Sequence, residues 1–142
     1  MPELKNYTIT LGGYGLGGAT KTTVGDTDGS GGIHTVFGTE KGEMIILDHQ
    51  KKSFLLRRYS RIGQSIHSLG VVEPKGSEPN GIITGVKNYA LLYEWEDDEY
   101  RQKSRTHYLG GGILDIASSD LNRDGKQEVV VTAEGAGVQV YR

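Results

Sequence analysis

The chain repeats itself with a period of 47 residues, and this constrains its fold more than any other feature of the sequence. Asp26, Glu73 and Asp120 occupy equivalent places, each 47 residues after the one before. The segments on either side of these residues align without a gap, and three periods account for almost all of the 142 residues. A period of this length is typical of solenoids and propellers, in which one unit cannot bury its apolar face alone.

Each unit contains four short runs rich in Val, Ile, Thr, Tyr and Leu, bounded by Gly, Asn, Asp and Lys-Gly clusters. This pattern indicates β-strands, and no stretch combines a helical period with helix caps. We therefore predict one all-β domain over residues 1–142, a β-propeller with three four-stranded blades, in preference to a β-sandwich or a β-solenoid. The units are residues 7–53, 54–100 and 101–142, and the runs are 7–11, 19–24, 34–38 and 44–47, then 54–59, 66–72, 81–86 and 90–95, then 103–109, 113–118, 128–133 and 138–141.

The runs are expected to lie at different places in each sheet. Residues 44–47 and 129–131 are continuously apolar, as in strands that are covered on both faces. Arg101, Lys103 and Arg105 alternate along the first run of the last unit, and charges on one face are typical of an edge strand. The first run of each unit is therefore predicted to be the outer edge strand.

The composition excludes several classes of function. The formal net charge of −2 argues against nucleic-acid binding, which usually requires a strong basic excess. There is no cysteine, which excludes disulfides and thiolate chemistry. No apolar run approaches the ~20 residues of a membrane span, and the first residues lack the apolar core of a signal peptide. Localisation stays unknown, with a cytoplasmic location as the default.

The turn after the second run of the last unit has the pattern of a cation-binding loop. Side chains with oxygen atoms occupy loop positions 1, 3, 5 and 9, and a glycine at position 6 permits the sharp turn. Ca²⁺ takes about six to eight oxygen ligands from such tightly wound loops. The predicted ligands are the side chains of Asp120, Asn122, Asp124 and Glu128 and the main-chain carbonyl of Lys126.

This loop, followed by a β-branched strand, resembles the FG-GAP (VCBS-like) repeats of integrin-type β-propellers. The 47-residue echo extends the resemblance through all three units. The resemblance implies four-stranded blades, with Ca²⁺ bound in the turn between the first and second strands of some of them. It also implies a role in adhesion, assembly or glycan recognition.

The other two units have lost part of the loop pattern. In unit 1, Asp26, Asp28 and Ser30 are predicted to form at best a weaker second Ca²⁺ site, because two carboxylates remain and His34 stands at position 9. In unit 2, Lys75 occupies a ligand position, so residues 73–81 are predicted to bind no cation.

No catalytic or cofactor-binding residue is predicted. Residues 13–18 satisfy G-x-G-x-x-G, but a dinucleotide site also requires a helix next, and residues 19–24 are strand-like. The four histidines show no spacing such as H-E-x-x-H, and there is no G-x-S-x-G motif. The chain is therefore predicted not to be an enzyme.

Three blades are too few to close a propeller ring. The chain begins with a predicted edge strand, 7–11, and stops after an inner one, 138–141, so the last blade lacks its fourth strand. We expect a homodimer in which residues 7–11 of each chain complete the last blade of the other, since cyclic dimers are the commonest closed assembly. Such a dimer has six blades. The alternative is an excised piece of a larger propeller.

These observations predict a non-enzymatic, Ca²⁺-stabilised recognition and assembly module that binds a protein or, as a lectin does, a glycan. Neither a nucleic-acid partner nor a membrane span is expected. The alternative is a carbohydrate-acting enzyme, a lyase or hydrolase, because some polysaccharide lyases use related propellers. A cluster of paired carboxylates and bases would distinguish the enzyme, and the sequence does not display one.

Overall fold

The computed structural model describes residues 18–50, 53–76 and 78–142, so the predicted run 7–11 and most of the glycine motif at 13–18 lie outside it. The described residues form eleven strands and no helix, which confirms the all-β prediction and leaves no helix to cross a membrane. The strands are β1 (Ala19–Gly25), β2 (His34–Thr39), β3 (Glu43–Gln50), β4 (Ser53–Arg61), β5 (Ile66–Val72), β6 (Gly81–Val86), β7 (Tyr89–Glu96), β8 (Glu99–Arg105), β9 (Ile113–Ser119), β10 (Glu128–Ala133) and β11 (Gly137–Tyr141).

The strands form three antiparallel sheets that follow one another along the chain. Sheet 1 has the order β1-β2-β3-β4, sheet 2 has β5-β6-β7-β8, and sheet 3 has β9-β10-β11. The first strand of sheet 2 packs between the first strands of the other two, with β1 on one side and β9 on the other. The sheets are therefore arranged as stacked copies of one unit, as the sequence repeat implies.

Equivalent residues are 47 positions apart throughout the first two strands of each sheet, and this spacing changes at the third strand. The ladders of the first two strands contain the equivalent pairs Lys21–Gly38, Ser68–Gly85 and Asp115–Thr132. On the third strand Gly38 pairs with Met44, whereas Gly85 pairs with Ala90, only 46 residues further along the chain. The turn between the second and third strands of sheet 2 is therefore one residue shorter than that of sheet 1.

Two strands have the edge position that their sequence predicts. Among the described residues, β4 and β8 each stand at the end of a sheet with one neighbouring strand. Arg101, Lys103 and Arg105 are all exposed on β8, where charged groups protect the open edge from pairing with other chains. Residues 44–47, predicted to be interior, are at most 3% exposed.

The run predicted at 103–109 lies earlier in the chain and belongs to the preceding sheet. It is β8, which ends at Arg105 because the chain then crosses to the β6–β7 turn, where the Leu109 amide donates to the Asn88 carbonyl. The fourth strand of sheet 2 is thus the first run of unit 3. Within the described residues, sheet 3 has three strands and β11 lies at its edge.

Two apolar cores fill the spaces between the sheets. Sheet 2 contributes to both, and its strand β6 is buried along its whole length. Removing apolar surface from water stabilises the fold by ~25 cal/mol per Å². The core between sheets 1 and 2 contains Val36, Met44, Ile46, Ile66, Leu69, Ile82, Val86, Leu91, Tyr93 and Tyr100. The core between sheets 2 and 3 contains Ile83, Ala90, Leu109, Ile113, Ile116, Val131 and Ala133.

A glycine allows each pair of neighbouring sheets to approach closely. A Cβ atom on Gly38 would lie 2.5 Å from Cγ2 of Ile66, and a Cβ atom on Gly85 would lie 2.5 Å from Cγ2 of Ile113. Both distances are far below van der Waals contact, so any larger residue would force the sheets apart. We call this Gly–Ile contact the glycine socket. It joins sheet 1 to sheet 2 and, 47 residues later, sheet 2 to sheet 3.

Candidate functional site

One loop joins the first and second strands of each sheet, and the three loops are equivalent by the repeat. Loop 1 is residues 26–33, loop 2 is residues 73–80 and loop 3 is residues 120–127. The next residue, at position 9, begins the second strand of the sheet. Hydrogen bonds from loop 2 to loop 1 and from loop 3 to loop 2 place the loops side by side.

The residue at position 4 has a positive φ angle in all three loops. The φ angle is 75° at Gly29, 106° at Gly76 and 64° at Arg123. Glycine adopts this left-handed region without steric cost, whereas a residue with a Cβ atom is strained there. Loop 3 therefore keeps the turn in spite of its arginine.

Loop 3 folds around its own acidic and amide side chains. The Asp120 carboxylate accepts hydrogen bonds from the Asp124 and Gly125 amides, at 3.0 and 2.9 Å. The Asp124 amide also donates to Asn122 Oδ1 at 3.0 Å. Bonds of this kind hold a turn closed, and each carboxylate oxygen has a second lone pair for a cation.

The remaining predicted ligands of loop 3 meet an arginine. Glu128, at position 9, is 7% exposed, and its Oε2 accepts a hydrogen bond from the Leu121 amide at 2.9 Å. The Arg142 guanidinium contacts the Asp124 carboxylate, and its Nε lies 3.6 Å from Glu128 Oε1. The Lys126 side chain turns away to Glu78 in loop 2, at 3.2 Å. The acidic side chains of loop 3 thus already attract a cationic group.

Loop 1 has internal bonding similar to that of loop 3. The Asp26 carboxylate accepts hydrogen bonds from the Gly29 and Gly31 amides, at 2.8 and 2.7 Å. The Asp28 carboxylate accepts one from the Ser30 amide at 3.0 Å. Predicted ligands at positions 1 and 3 thus shape this loop as they shape loop 3.

Position 9 of loop 1 is a buried histidine held by side chains of two sheets. His34 is 0% exposed, and its Nδ1 lies 3.3 Å from the Thr27 amide and 3.1 Å from Thr27 Oγ1. Thr27 Oγ1 in turn lies 2.5 Å from the hydroxyl of Tyr100, on β8 of sheet 2. His34 Nε2 lies 4.0 Å from Asp48 Oδ1. Burial between the sheets therefore fixes the orientation of this ring.

The structure brings three metal-ligating groups together in loop 1. One ligand atom from each of Asp26, Asp28 and His34 lies within 4.8 Å of the other two. In the part of the chain that the structure describes, no other three His, Asp or Glu side chains meet this criterion. The calcium site of loop 3 and the part of Ser30 in loop 1 stay predictions.

Loop 2 has lost both members of a contact that loops 1 and 3 share. In those two loops the amide at position 2 donates to the side chain at position 9. In loop 2, Pro74 has no amide hydrogen and Gly81 has no side chain. Its position-1 residue, Glu73, instead accepts a hydrogen bond from the Asp26 amide of loop 1. Together with Lys75 at position 3, these changes leave loop 2 a predicted non-binder.

Two amide side chains that were not recognised from the sequence join successive loops. Asn80 Nδ2 donates to the Asp26 carbonyl at 2.8 Å, and Gln127 Nε2 donates to the Glu73 carbonyl at 3.0 Å. Gln127 Oε1 also accepts a hydrogen bond from the Glu73 amide at 3.1 Å. Both residues occupy loop position 8. The recurrence of an amide side chain at this position is the sequence feature from which the contact could have been recognised. The same position in loop 1 is Ile33, which is 50% exposed.

A groove of about 340 Å³ runs along β5, between β1 and β9, and reaches loops 2 and 3. Its polar lining includes Thr23, Glu73, Ser118 and Gln127, and its floor includes Leu69. Glu73 is the one ionisable side chain among the described residues that line it. The groove therefore offers hydrogen-bonding groups next to apolar surface, without a pair of carboxylates.

Comparison with known proteins does not assign the chain to a family. No protein-family model matches the chain, and no curated protein matches its sequence. Its function has to be inferred from the faces and loops of its own three sheets.

Proposed function

We propose that this chain is one half of a six-bladed β-propeller that a second copy closes, and that it acts as a non-enzymatic recognition and assembly module. One observation supports the proposal. Sheets 1 and 3 each have an outer face, which is the face that points away from sheet 2. By the repeat, the outer face of sheet 1 corresponds to the face of sheet 2 that packs on sheet 1, and the outer face of sheet 3 corresponds to the face of sheet 2 that packs on sheet 3. A second copy would continue the same packing and close the ring, in agreement with the FG-GAP-like repeat.

On the two outer faces, the residues equivalent to the Gly–Ile pair of the glycine socket are different, and their changes in size compensate each other. In sheet 3, Thr132 stands where sheets 1 and 2 have the socket glycine. In sheet 1, Ala19 stands where sheets 2 and 3 have the isoleucine that enters the socket. A larger residue on one outer face is thus matched by a smaller residue on the other. Such a match keeps the volume of the contact and is expected if the two faces pack together.

The charges on the outer faces are also complementary. Between sheets 2 and 3, the Ser68 hydroxyl donates to Asp115 Oδ1 at 3.3 Å. The equivalent residue of sheet 1 is Lys21. Lys21 and Asp115 are both exposed in the single chain. In the closed ring Asp115 of one copy would face Lys21 of the other, and such complementary charges favour the correct pairing.

Apolar side chains are exposed on both outer faces. Val138 and Val140 of β11 are 64% and 56% exposed. Their counterparts in sheet 1, by strand register, are Met44 and Ile46, which are fully buried against sheet 2. On the other outer face, Val24 of β1 is 59% exposed. Exposed apolar side chains at places that are buried elsewhere in the repeat favour an interaction site, and here the proposed occupant is the second copy.

The open edge of sheet 3 defines where a strand would be exchanged. β11 has one neighbouring strand among the described residues. Residues 7–11 of the second copy would form the fourth strand and satisfy the backbone groups of this edge. This part of the proposal rests on the sequence repeat, because residues 7–11 lie outside the described residues.

We further propose that Ca²⁺ stabilises the module by binding to loop 3. The ion would neutralise the carboxylates of this loop and take the place of the Arg142 guanidinium. The proposed ligands are Asp120, Asn122, Asp124, Glu128 and the Lys126 carbonyl. Binding to the folded state alone raises the unfolding temperature, so calorimetry of wild type and Asp124→Ala with and without Ca²⁺ tests the site. An equal response of both proteins to calcium would exclude it.

The loop end of the ring is the proposed contact surface for a protein or a glycan. The groove along β5 lies there, and the polar side chains of Thr23, Ser118 and Gln127 line it next to apolar surface. Binding sites commonly combine a few directed polar groups with such surface.

Sedimentation velocity of the intact chain tests the proposed assembly. We expect a dimer for the wild type and a monomer for Val138→Asp with Val140→Asp, because dimerisation would bury two carboxylates. The control is Tyr108→Asp, since Tyr108 is 60% exposed but lies on the β8–β9 connection, with its ring 6.0 Å from that of Tyr89. Deletion of residues 1–11 should also abolish the dimer. A monomeric wild type, or a dimer that survives the valine substitutions, would refute the proposal.

A further inference from the structure

The ligating side chains of loop 1 point to a metal site of their own, independently of ring closure and of calcium binding to loop 3. We propose that Asp26, Asp28 and His34 form a site for a divalent transition metal of the Zn²⁺ or Co²⁺ class, and that this loop does not select Ca²⁺. The grounds are the convergence of the three groups, the way His34 is held and the type of ligand at position 9.

The three groups are close enough to share one ion. Their ligand atoms lie within 4.8 Å of one another. Ligands at about 2.0–2.2 Å from a tetrahedral ion are ~3.4 Å apart, so small side-chain rotations would complete the coordination. Asp26 and Asp28 are half-buried, and each uses its carboxylate to accept backbone hydrogen bonds within the loop. A carboxylate oxygen can accept such a bond and ligate a metal at the same time.

His34 is supported in the manner of a metal-ligating histidine. Such a histidine usually donates its other ring N–H to a neighbouring acceptor, which fixes its orientation and raises its basicity. Here Thr27 Oγ1 lies 3.1 Å from Nδ1 and is itself in contact with the Tyr100 hydroxyl. Because Nδ1 accepts a hydrogen bond from the Thr27 amide, the ring proton is on Nε2, which lies 4.0 Å from Asp48 Oδ1, and Nδ1 is the nitrogen that would coordinate the ion in place of that amide. Tyr100 comes from sheet 2, so packing of the two sheets maintains this arrangement.

Position 9 decides which cation each loop prefers. In loop 3 this position is Glu128 and in loop 1 it is His34, and each lies next to the position-2 amide of its own loop. The two side chains are therefore equivalent in place and different in chemistry. A carboxylate suits a hard ion such as Ca²⁺, whereas imidazole suits Zn²⁺, Co²⁺ and Ni²⁺ and is not a ligand that Ca²⁺ prefers.

Titration of the full chain with Co²⁺ tests the site, because the visible absorption of the bound ion reports its ligands. We expect one site that an excess of Ca²⁺ does not empty and that Zn²⁺ does empty. Asp28→Asn should weaken Co²⁺ binding by more than about tenfold, a loss that even removal of an outer-shell partner can cause. This variant leaves the buried histidine in place and so keeps the fold.

Two further variants identify the nitrogen ligand. His34→Gln should abolish the nitrogen-ligated spectrum, provided that its circular dichroism is that of the wild type. His49→Gln is the matched control, because His49 is an exposed histidine on the same sheet and should bind Co²⁺ like the wild type. Absence of Co²⁺ binding by the wild type, wild-type affinity in Asp28→Asn, or release of Co²⁺ by Ca²⁺ would each overturn the proposal.

Discussion

The middle sheet and the two outer sheets keep different parts of the same repeating unit. Sheet 2 is packed on both faces, and it has lost the donor and the acceptor of the position-2 contact at Pro74 and Gly81. Sheets 1 and 3 are packed on one face within the chain and keep acidic loops with a polar residue at position 9. The difference indicates that contacts with the sheets and loops on both sides can replace the hydrogen bonds within a loop.

The side chain at position 1 shows how this replacement works. Asp26 and Asp120 close their own loops by accepting backbone hydrogen bonds. Glu73, which is one methylene longer, instead reaches the Asp26 amide of the preceding loop. In the middle sheet, therefore, the acidic residue at this equivalent place serves contact between sheets and not the closure of a loop.

The largest predicted effects, from single substitutions and from their combination, concern the faces of the middle sheet. Gly85→Thr should destabilise the protein by about 3 kcal/mol, because the new Cβ atom would overlap Ile113 across the sheet 2–sheet 3 contact. The matched substitution on the outer face, Thr132→Gly, should cost only about 1 kcal/mol, the usual cost of a glycine in a strand. Urea unfolding measures both values. Equal losses would contradict the distinction between inner and outer faces.

A double substitution sharpens the same comparison. Ile113→Ala should cost about 2–5 kcal/mol on its own, since it leaves a cavity. Combined with Gly85→Thr, it recreates at the inner contact the Thr–Ala pair proposed for the outer one. The double variant should therefore be more stable than the sum of the two losses predicts, by at least about 1 kcal/mol. Strict additivity would show that the two positions do not share a contact.

The next effect concerns the loop of an outer sheet. Arg142→Ala should raise the Ca²⁺ affinity of loop 3 roughly three- to tenfold, because the ion no longer has to displace a half-exposed guanidinium from Asp124 and Glu128. Isothermal titration calorimetry measures the change, and Arg123→Ala, in the same loop, is the control. A lower affinity in Arg142→Ala would mean that the arginine supports the site and does not compete for it.

A smaller effect is expected from the amide contact that joins loops 2 and 3. Gln127→Ala removes two hydrogen bonds to Glu73 and should destabilise the protein by about 1 kcal/mol. Gln139→Ala removes one bond, to the Ala136 carbonyl within its own hairpin, and should cost less. If thermal unfolding ranks the two variants in the opposite order, contacts between loops do not hold the middle sheet.

The smallest effect concerns the exposed edge of the middle sheet and depends on pH. The hydrogen bond and charge of Lys103 lower the pKa of Glu96 below its ordinary value of 4.5. Because the pKa is lower in the folded state, the pair contributes stability above pH 4.5, and this contribution disappears as the pH falls through the folded-state pKa. The difference in unfolding free energy between wild type and Glu96→Gln should be small at neutral pH and vanish in acid. A difference that grows in acid would contradict this assignment.

The local features of this fold are predictable from the sequence, whereas its contacts across sheets are not. Alternating and continuous apolar runs identify the strands, and the charges of Arg101, Lys103 and Arg105 identify an edge, because both patterns arise within one strand. The contacts of Gly38 with Ile66 and of Gly85 with Ile113 join residues of different sheets, and no pattern within one strand reveals them.

The candidate site shows the same limit. Asp26, Asp28 and the acidic residues of loop 3 are recognisable from their spacing within one turn. The roles of Tyr100 and Arg142 are not recognisable from the sequence. Both residues lie outside loops 1 and 3 in the sequence and contact them only after the strands have packed. His34 was placed correctly at position 9, but its proximity to Asp26 and Asp28 required the folded loop.

Closure of the ring by a second copy is the central claim, and a charge exchange tests it most directly. The variants Lys21→Asp and Asp115→Lys would each place like charges opposite one another at both contacts of a homodimer. Each variant alone should therefore dimerise about 10- to 100-fold more weakly than the wild type, given two contacts that each change by about 1 kcal/mol.

An equimolar mixture of the two variants would restore opposite charges at both contacts. One contact of the heterodimer would keep the wild-type pair of Asp115 and Lys21, and the other would contain the same two charges exchanged between the positions. Sedimentation equilibrium of the separate variants and of their mixture is the decisive measurement. The account predicts weak self-association of each variant and a heterodimer of wild-type strength in the mixture. Equal self-association of wild type and variants, or a mixture no stronger than its components, would contradict it.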